Sequence, residues 1–153
     1  MKILCQRDLR WKDRKIGASD LSLGDYGCTT TGLAEVNNKF GANCTPLDVA
    51  NHEEFYTLTG LVLWTKIDMK FALPEASPRV YGCNLARITD SLSLPNKAVL
   101  LEVQLSKTLK HWLFGEAIGY NNQIYARDPW DGTLVDILYK YGKITGSAHF
   151  LKK

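Results

Sequence analysis

The sequence lacks any long hydrophobic run. None of its apolar stretches approaches the roughly 18 consecutive residues that a membrane-spanning helix needs. The first eleven residues, MKILCQRDLRW, contain an apolar core that is too short for a secretory signal. We therefore expect a protein without a membrane segment or signal peptide that is cytoplasmic when synthesised.

A strong excess of charge of one sign is also missing. The formal net charge of the 153 residues is +3 at pH 7, and acidic residues are interleaved with the lysines. No basic stripe of the kind used to bind nucleic acids is present. We expect no nucleic-acid partner.

Cysteine is sparse. The chain has four cysteines, none in a C-x-x-C pair, at positions 5, 28, 44 and 83. This density does not indicate a disulfide-stapled scaffold, and the spacing does not indicate a zinc site. Small buried hydrophobic side chains are the default interpretation for Cys5, Cys44 and Cys83, and the sequence leaves open whether these three ever form a disulfide.

Repeats, low-complexity tracts and Ser/Gly linkers are absent, which favours a single domain over residues 1–153. The sequence leaves the oligomeric state open, and a monomer is the expectation. The first part of the chain is helical in pattern. One helix is predicted over 28–40, where an apolar stripe ends at Gly41. A second is predicted from Thr45 to about residue 56, with Pro46 at its first position.

From residue 98 the pattern changes to strands. AVLLEVQL is apolar and β-branched, and HWLFGEAIGY and QIYARDPW flank Asn121 and Asn122, which tolerate the left-handed backbone of a tight hairpin. LYKYG and ITGSAHF are expected to complete the sheet. Helices followed by an antiparallel sheet indicate an α+β fold of two packed layers. Residues 60–97 show no clear pattern.

Cys28 opens the first predicted helix, directly after Gly27. The unsatisfied amides and the dipole at a helix start stabilise a thiolate, so they lower a cysteine pKa below its free value of about 8.5. Three threonines follow, which are poor helix formers. The pattern fits a nucleophile, although a structural cysteine at a helix start is the alternative.

A nucleophilic cysteine needs a base, and the chain has three histidines. His52 lies within the second predicted helix and is expected to be solvated, while His149 is expected at the end of the last strand. His111 opens a predicted strand, and Trp112 beside it can shield an imidazole from water. His111 is therefore the candidate base, with an edge-strand histidine as the alternative.

Asp128, in ARDPW, is the candidate for orienting that imidazole. A hairpin turning at Asn121 and Asn122 pairs Asp128 with Gly115, on the face that also carries His111. This register leaves His111 and Asp128 roughly 13 Å apart along the strand, so a bulge, twist or wider loop must bring them together. Starting the turn at Pro129 is the alternative role of Asp128.

Two further functions need candidates. An oxyanion hole requires donors, for which the Cys28 amide and the Gln6 side chain are the candidates. Aromatic side chains that could line a substrate groove, or simply pack in the core, are Trp64, Trp112 and Trp130.

Six segments occur in an order that resembles the bacteriocin-processing-like (family thirty-nine) cysteine peptidases of the papain-like superfamily: CQRDLRW, LGDYGCTTTGLAEV, GANCTPLDV, NKAVLLEVQL, KHWLFGEAIGY and YARDPWDGTL. The resemblance spans nearly the whole chain. It implies a papain-like fold in which the nucleophile helix packs on a C-terminal antiparallel sheet. It also implies that Cys28 is the nucleophile, His111 the general base, Asp128 its orienting residue and Gln6 the oxyanion residue. In many members the glutamine lies closer to the cysteine than Gln6 does here.

Within this family the chain is most similar to stand-alone, lysin-type members, since it shows no transporter segment. The resemblance thus implies an endopeptidase that cuts peptidoglycan stem peptides, reaches the wall after lysis and uses no metal or organic cofactor. Three alternatives remain open at this point: a protein- or leader-peptide-processing protease, a transferase or deamidase using the same thioester chemistry, and a non-catalytic binding module.

Overall fold

The computed structural model describes residues 2–153, in which five α-helices accompany one six-stranded antiparallel sheet. The helices are α1 (Leu23–Tyr26), α2 (Cys28–Lys39), α3 (Pro46–Ala50), α4 (Leu85–Ser93) and α5 (Ile137–Tyr141). The strands are β1 (Ala72–Tyr81), β2 (Lys97–Gln104), β3 (Lys110–Ile118), β4 (Ile124–Arg127), β5 (Leu134–Asp136) and β6 (Gly146–Lys152). Their order across the sheet is β1-β6-β2-β3-β4-β5. None of the helices in this part of the chain is both long and apolar enough to cross a membrane.

The two helix starts predicted from sequence are confirmed. Helix α2 begins at Cys28, and α3 begins at Pro46 behind a capping box made by Thr45 and Asp48. The predicted end of the second helix is wrong, because α3 stops at Ala50. The backbone of His52 leaves the helical region, and a short 3₁₀ turn over Glu53–Phe55 follows.

The middle of the chain contains both β1 and α4, which the sequence pattern did not reveal. β1 is an edge strand, and it carries Pro74 and Pro78 together with a register shift between Pro74 and Arg79. Proline cannot donate a ladder hydrogen bond, so it is tolerated at a sheet edge. These interruptions explain why the sequence shows no regular alternation here.

The LYKYG segment, predicted to be a strand, is helix α5. The Asp136 carboxylate accepts hydrogen bonds from the backbone N–H groups of Leu138 and Tyr139, and Gly142, at φ 83°, ends the helix. A helix cap at one end and a left-handed glycine at the other favour one helical turn over an extended strand.

The sheet is covered on both faces, so the predicted two-layer arrangement is wrong. Side chains alternate along β2. Ala98 and Leu100 belong to one buried cluster with α2, while Val99 and Leu101 belong to a second cluster with α4 and α5. A strand buried on both sides reads as a continuous apolar run, which is the pattern of AVLLEV. The molecule therefore has three layers, with the sheet in the middle.

Candidate active site

Cys28 lies at the first position of α2, where its thiol is partly buried and borders open space. The preceding Gly27 caps the helix with φ −85°, a backbone conformation open to any residue. Glycine is required there for space instead, because a Cβ atom would collide with the carbonyl oxygen of Leu23 in the preceding helix. The Gly-Cys pair thus lets two short helices meet closely and presents the sulfur at a helix start.

His111 and Asp128 lie together, as the sequence predicts. Both side chains are buried, and His111 Nε2 lies 2.8 Å from Asp128 Oδ1, to which it donates a hydrogen bond. This contact occupies one ring nitrogen, and the imidazole also lies close enough to the Cys28 thiol for each group to shift the pKa of the other. His111 therefore connects Cys28 to Asp128.

The pairing predicted for Asp128 is wrong in register. Gly115 pairs with Ala126 rather than with Asp128. The turn between β3 and β4 spans Tyr120–Asn122, with Asn121 and Asn122 both at positive φ, and a bulge interrupts the ladder between Gly115 and Ala117. The wider turn and the bulge together shift the register by two positions, which moves Asp128 along β3 towards His111 and removes half of the four-position gap left by the ideal hairpin. The two side chains span the rest.

Asp128 is held by partners that the sequence did not identify. Its Oδ2 atom accepts a hydrogen bond from the Tyr141 hydroxyl. The same atom forms an ion pair with Lys140 Nζ at 2.9 Å. Both partners lie on α5. The backbone N–H of Trp130 donates to Oδ1 at 3.1 Å. Because α5 was predicted to be a strand, no signal in the sequence placed Tyr141 or Lys140 at this carboxylate.

The charges of these groups follow from their contacts. Burial raises the pKa of Asp128, but the hydrogen bond from His111 and those from Tyr141 and Lys140 outweigh it and hold this pKa well below its usual value. Burial lowers the pKa of His111, yet hydrogen bonds and charge interactions with Asp128 and Cys28 raise it to about 9.

The Cys28 thiol responds in the opposite direction. Burial raises its pKa, but the hydrogen bond and charge of His111, the backbone N–H of Trp112 and the Thr29 hydroxyl lower it overall. A lowered thiol pKa beside a raised imidazole pKa favours a thiolate–imidazolium pair at neutral pH.

Gln6 is buried rather than on the surface. Its backbone N–H donates to the Pro129 carbonyl at 2.7 Å, and its side-chain Nε2 donates to the Gly24 carbonyl at 2.9 Å. Gln6 lines a narrow space of about 120 Å³ together with Cys28 and His111. The structure thus brings all four predicted site residues to one place.

Two clefts open from this point. The first, here the Trp130 cleft, has a volume of about 580 Å³ and is lined by Tyr26, Leu105, Leu109, His111 and Trp130, among others. The second, here the Trp112 cleft, has a volume of about 470 Å³ and includes Tyr26, Cys28, Trp64, Arg79, Lys110 and Trp112 in its lining. Trp130 is 43% exposed, whereas Trp112 is largely buried and packs on Trp64 with ring centroids 4.9 Å apart.

The other two histidines take no part in this site. His52 is exposed and lies 2.8 Å from a Glu54 carboxylate oxygen. His149 lies inside β6, not at the end of the strand as expected. It is fully buried between the hydroxyls of Ser91 and Ser147, and its pKa falls to about 4 because of burial and the charge of nearby Arg87.

The remaining cysteines differ from Cys28. All four thiols are free in the described chain. Cys44 has a pKa raised to about 11 by burial. Cys83 is exposed, and Cys5 donates a hydrogen bond to the Trp130 carbonyl. Among residues 2–153, no cluster of three or more His, Cys, Asp or Glu side chains is arranged to hold a metal ion.

Compared with known proteins, the chain matches no family model and no curated protein. The resemblance to the bacteriocin-processing-like peptidases therefore stays a prediction.

Proposed function

We propose that this protein is a cysteine endopeptidase with a papain-like fold, in which Cys28 is the nucleophile, His111 the general acid and base, and Asp128 the residue that orients the imidazole. The observation that carries the proposal is the placement of one buried imidazole between a helix-start thiol and a buried carboxylate. Nucleophile, base and orienting group within hydrogen-bond reach of one another are the signature of covalent catalysis.

The proposed reaction starts from the thiolate–imidazolium pair. The Cys28 sulfur attacks the carbonyl carbon of a peptide bond, and the negative charge on the oxygen is held by the Cys28 amide and a Gln6 side-chain N–H. The tetrahedral intermediate collapses as His111 gives its proton to the leaving amine, which departs and leaves a thioester. Water then loses a proton to His111 and attacks the thioester, and the Cys28 sulfur leaves as a thiolate, which releases the acid and restores the thiolate–imidazolium pair.

The substrate class we propose is a peptidoglycan stem peptide. The resemblance to stand-alone lysin-type members supports it. One cleft opens beside His111 and the other beside Cys28, which offers room on both sides of a scissile bond. No cofactor enters this chemistry.

The test is incubation of the purified protein with peptidoglycan of several chemotypes, followed by mass spectrometry for new amino groups. Cys28→Ala should abolish their release while leaving the thermal unfolding temperature nearly unchanged. Cys83→Ala, which removes an exposed thiol, is the matched control and should retain full activity.

Two outcomes contradict the proposal. Product release by Cys28→Ala at the wild-type rate removes Cys28 from the mechanism. Absence of any released peptide from every wall type, together with cleavage of an unfolded protein substrate, moves the substrate class from the wall to proteins.

A further inference from the structure

The two clefts differ in their relation to the proposed proton donor. His111 lines the Trp130 cleft but not the Trp112 cleft, and Cys28 lines the Trp112 cleft. The group that protonates a leaving amine must lie beside that nitrogen. The leaving half of a substrate therefore occupies the Trp130 cleft, and the acyl half that stays on the sulfur occupies the Trp112 cleft.

A cluster of charged side chains forms one wall of the Trp112 cleft. Glu102, which is buried, accepts hydrogen bonds from Arg79 at 2.7 Å, Thr145 at 2.9 Å and Lys110 at 3.2 Å. Two cations therefore share one carboxylate. The Cys28 thiolate in this cleft is balanced by the His111 imidazolium; apart from that pair, the cleft has one positive charge more than it has negative charges, since Arg79 and Lys110 face the single carboxylate of Glu102.

Packing restricts the position of this charge. The Arg79 guanidinium lies 4.7 Å from the ring centre of Trp112 and 4.3 Å from that of Tyr81. A Cβ atom on Gly146 would collide with the guanidinium, so the glycine makes room for it. Lys110 directly precedes His111, has a half-exposed side chain and lines both the Trp112 cleft and the narrow space around Cys28. Packing fixes Arg79, whereas Lys110, although paired with Glu102, is half exposed and faces the cleft.

The Trp130 cleft has no such excess. Apart from His111, the partner of the Cys28 thiolate, its charged side chains are Asp25 and Asp128, opposed by Lys140. The rest of its lining is mainly apolar and aromatic. The electrostatic difference therefore lies on the acyl side alone.

We infer that the Trp112 cleft binds a carboxylate on the acyl side of the scissile bond, through Lys110 with support from Arg79. The inference rests on the proposed peptidase function and specifies its substrate class: peptides with an acidic residue before the cleaved bond.

The test uses acetyl-dipeptide aminomethylcoumarin substrates with Glu, Gln or Lys at each of the two acyl-side positions. At one of these positions, kcat/KM for Glu should exceed that for Gln by about tenfold or more, as expected for a charge-assisted hydrogen bond. Lys110→Gln should bring the ratio near one, and Lys110→Glu should favour the Lys substrate. Lys107→Gln makes the same charge change on an exposed loop residue outside the cleft and should keep the wild-type ratio. Equal cleavage of the Glu and Gln substrates overturns the inference.

A second probe separates this inference from the proposed function. Iodoacetate and iodoacetamide alkylate Cys28 with and without a carboxylate, and neither needs a peptidase substrate. The rate with iodoacetate divided by the rate with iodoacetamide should fall in Lys110→Gln, because the cation that attracts the carboxylate is lost. This ratio should stay unchanged in Lys107→Gln. If no peptide is cleaved but the ratio falls, the peptidase proposal fails and the anion site stands. An unchanged ratio in Lys110→Gln removes the anion site.

Discussion

At the scale of single residues, the charges of Asp128, His111 and Cys28 depend on one another. Asp128 is buried and accepts four hydrogen bonds, so its charge is kept, and that charge holds the proton on His111. His111 in turn lowers the pKa of the Cys28 thiol. Burial alone would neutralise each group, so the ionised state depends on their mutual contacts.

The first prediction concerns the pH dependence of Cys28. The lowered thiol pKa means that iodoacetamide should alkylate Cys28 rapidly below pH 8, before the other three thiols. Because the His111 pKa is raised to about 9, kcat/KM should rise as the thiol ionises and fall as pH passes about 9. These limbs report the coupled pair rather than either group by itself.

Asp128→Asn tests the same network. Without the carboxylate, His111 loses its proton at lower pH and the Cys28 pKa rises, so alkylation at pH 6 should slow by about tenfold for each unit of that rise. Asp131→Asn, a matched change at an exposed aspartate in the same DPWDG turn, should leave the profile unchanged. An unaltered profile in Asp128→Asn would show that Asp128 does not control the proton.

At the scale of elements, two local features position the site. The start of α2 places the sulfur, and the irregular β3–β4 hairpin places the carboxylate. The bulge between Gly115 and Ala117 interrupts the ladder and shifts the register of β4 against β3, which brings Asp128 closer to His111. A regular hairpin of the same sequence would leave Asp128 out of reach.

The second prediction concerns the cap of α3, which packs beside α2. Thr45 Oγ1 accepts from the Asp48 N–H at 3.2 Å, and Asp48 Oδ2 accepts from the Thr45 N–H at 2.7 Å. Thr45→Ala should lower the free energy of unfolding by about 1 kcal/mol in urea denaturation, with kcat/KM unchanged. Thr108→Ala removes a hydroxyl on an exposed loop and should cost much less. Equal losses in the two variants would mean that the cap contributes nothing.

At the scale of the whole molecule, stability depends on buried ionisable groups outside the site. Glu35 on α2 is buried, and its pKa is raised to about 8 by burial and by the charge of Glu116, against a smaller opposing effect of Arg127. The folded state thus keeps the proton that the unfolded state loses above about pH 4.5. The stabilisation is fully present below that pH and is lost as pH rises through 8.

The third prediction concerns this loss of stability at high pH. Glu35→Gln cannot ionise, so its melting temperature should exceed that of the wild type by a few degrees at pH 8, with a smaller difference at pH 5. Glu53→Gln, at an exposed position, should show no pH-dependent difference. A Glu35→Gln variant with the same pH dependence as the wild type would show that Glu35 does not titrate in this range.

The sequence by itself determined what depends on neighbours along the chain. The helix starts at Cys28 and Pro46, the left-handed turn at Asn121 and Asn122, and the strand character of AVLLEV follow from caps, backbone preferences and apolar patterning, which act over a few residues. The order of the site motifs could also be read from the sequence, and it predicted which residues form the candidate site.

Tertiary structure alone decided which of these elements meet. Helix α5 supplies Tyr141 and Lys140 to Asp128, and β1 supplies Arg79 to Glu102 across 23 positions of the chain. Both contacts arise from the packing of two separate segments. The local sequence of one segment does not indicate which other segment it will contact. The apolar run AVLLEV agrees with burial of β2 on both faces, but which helices cover each face is set by where α2 and α4 dock.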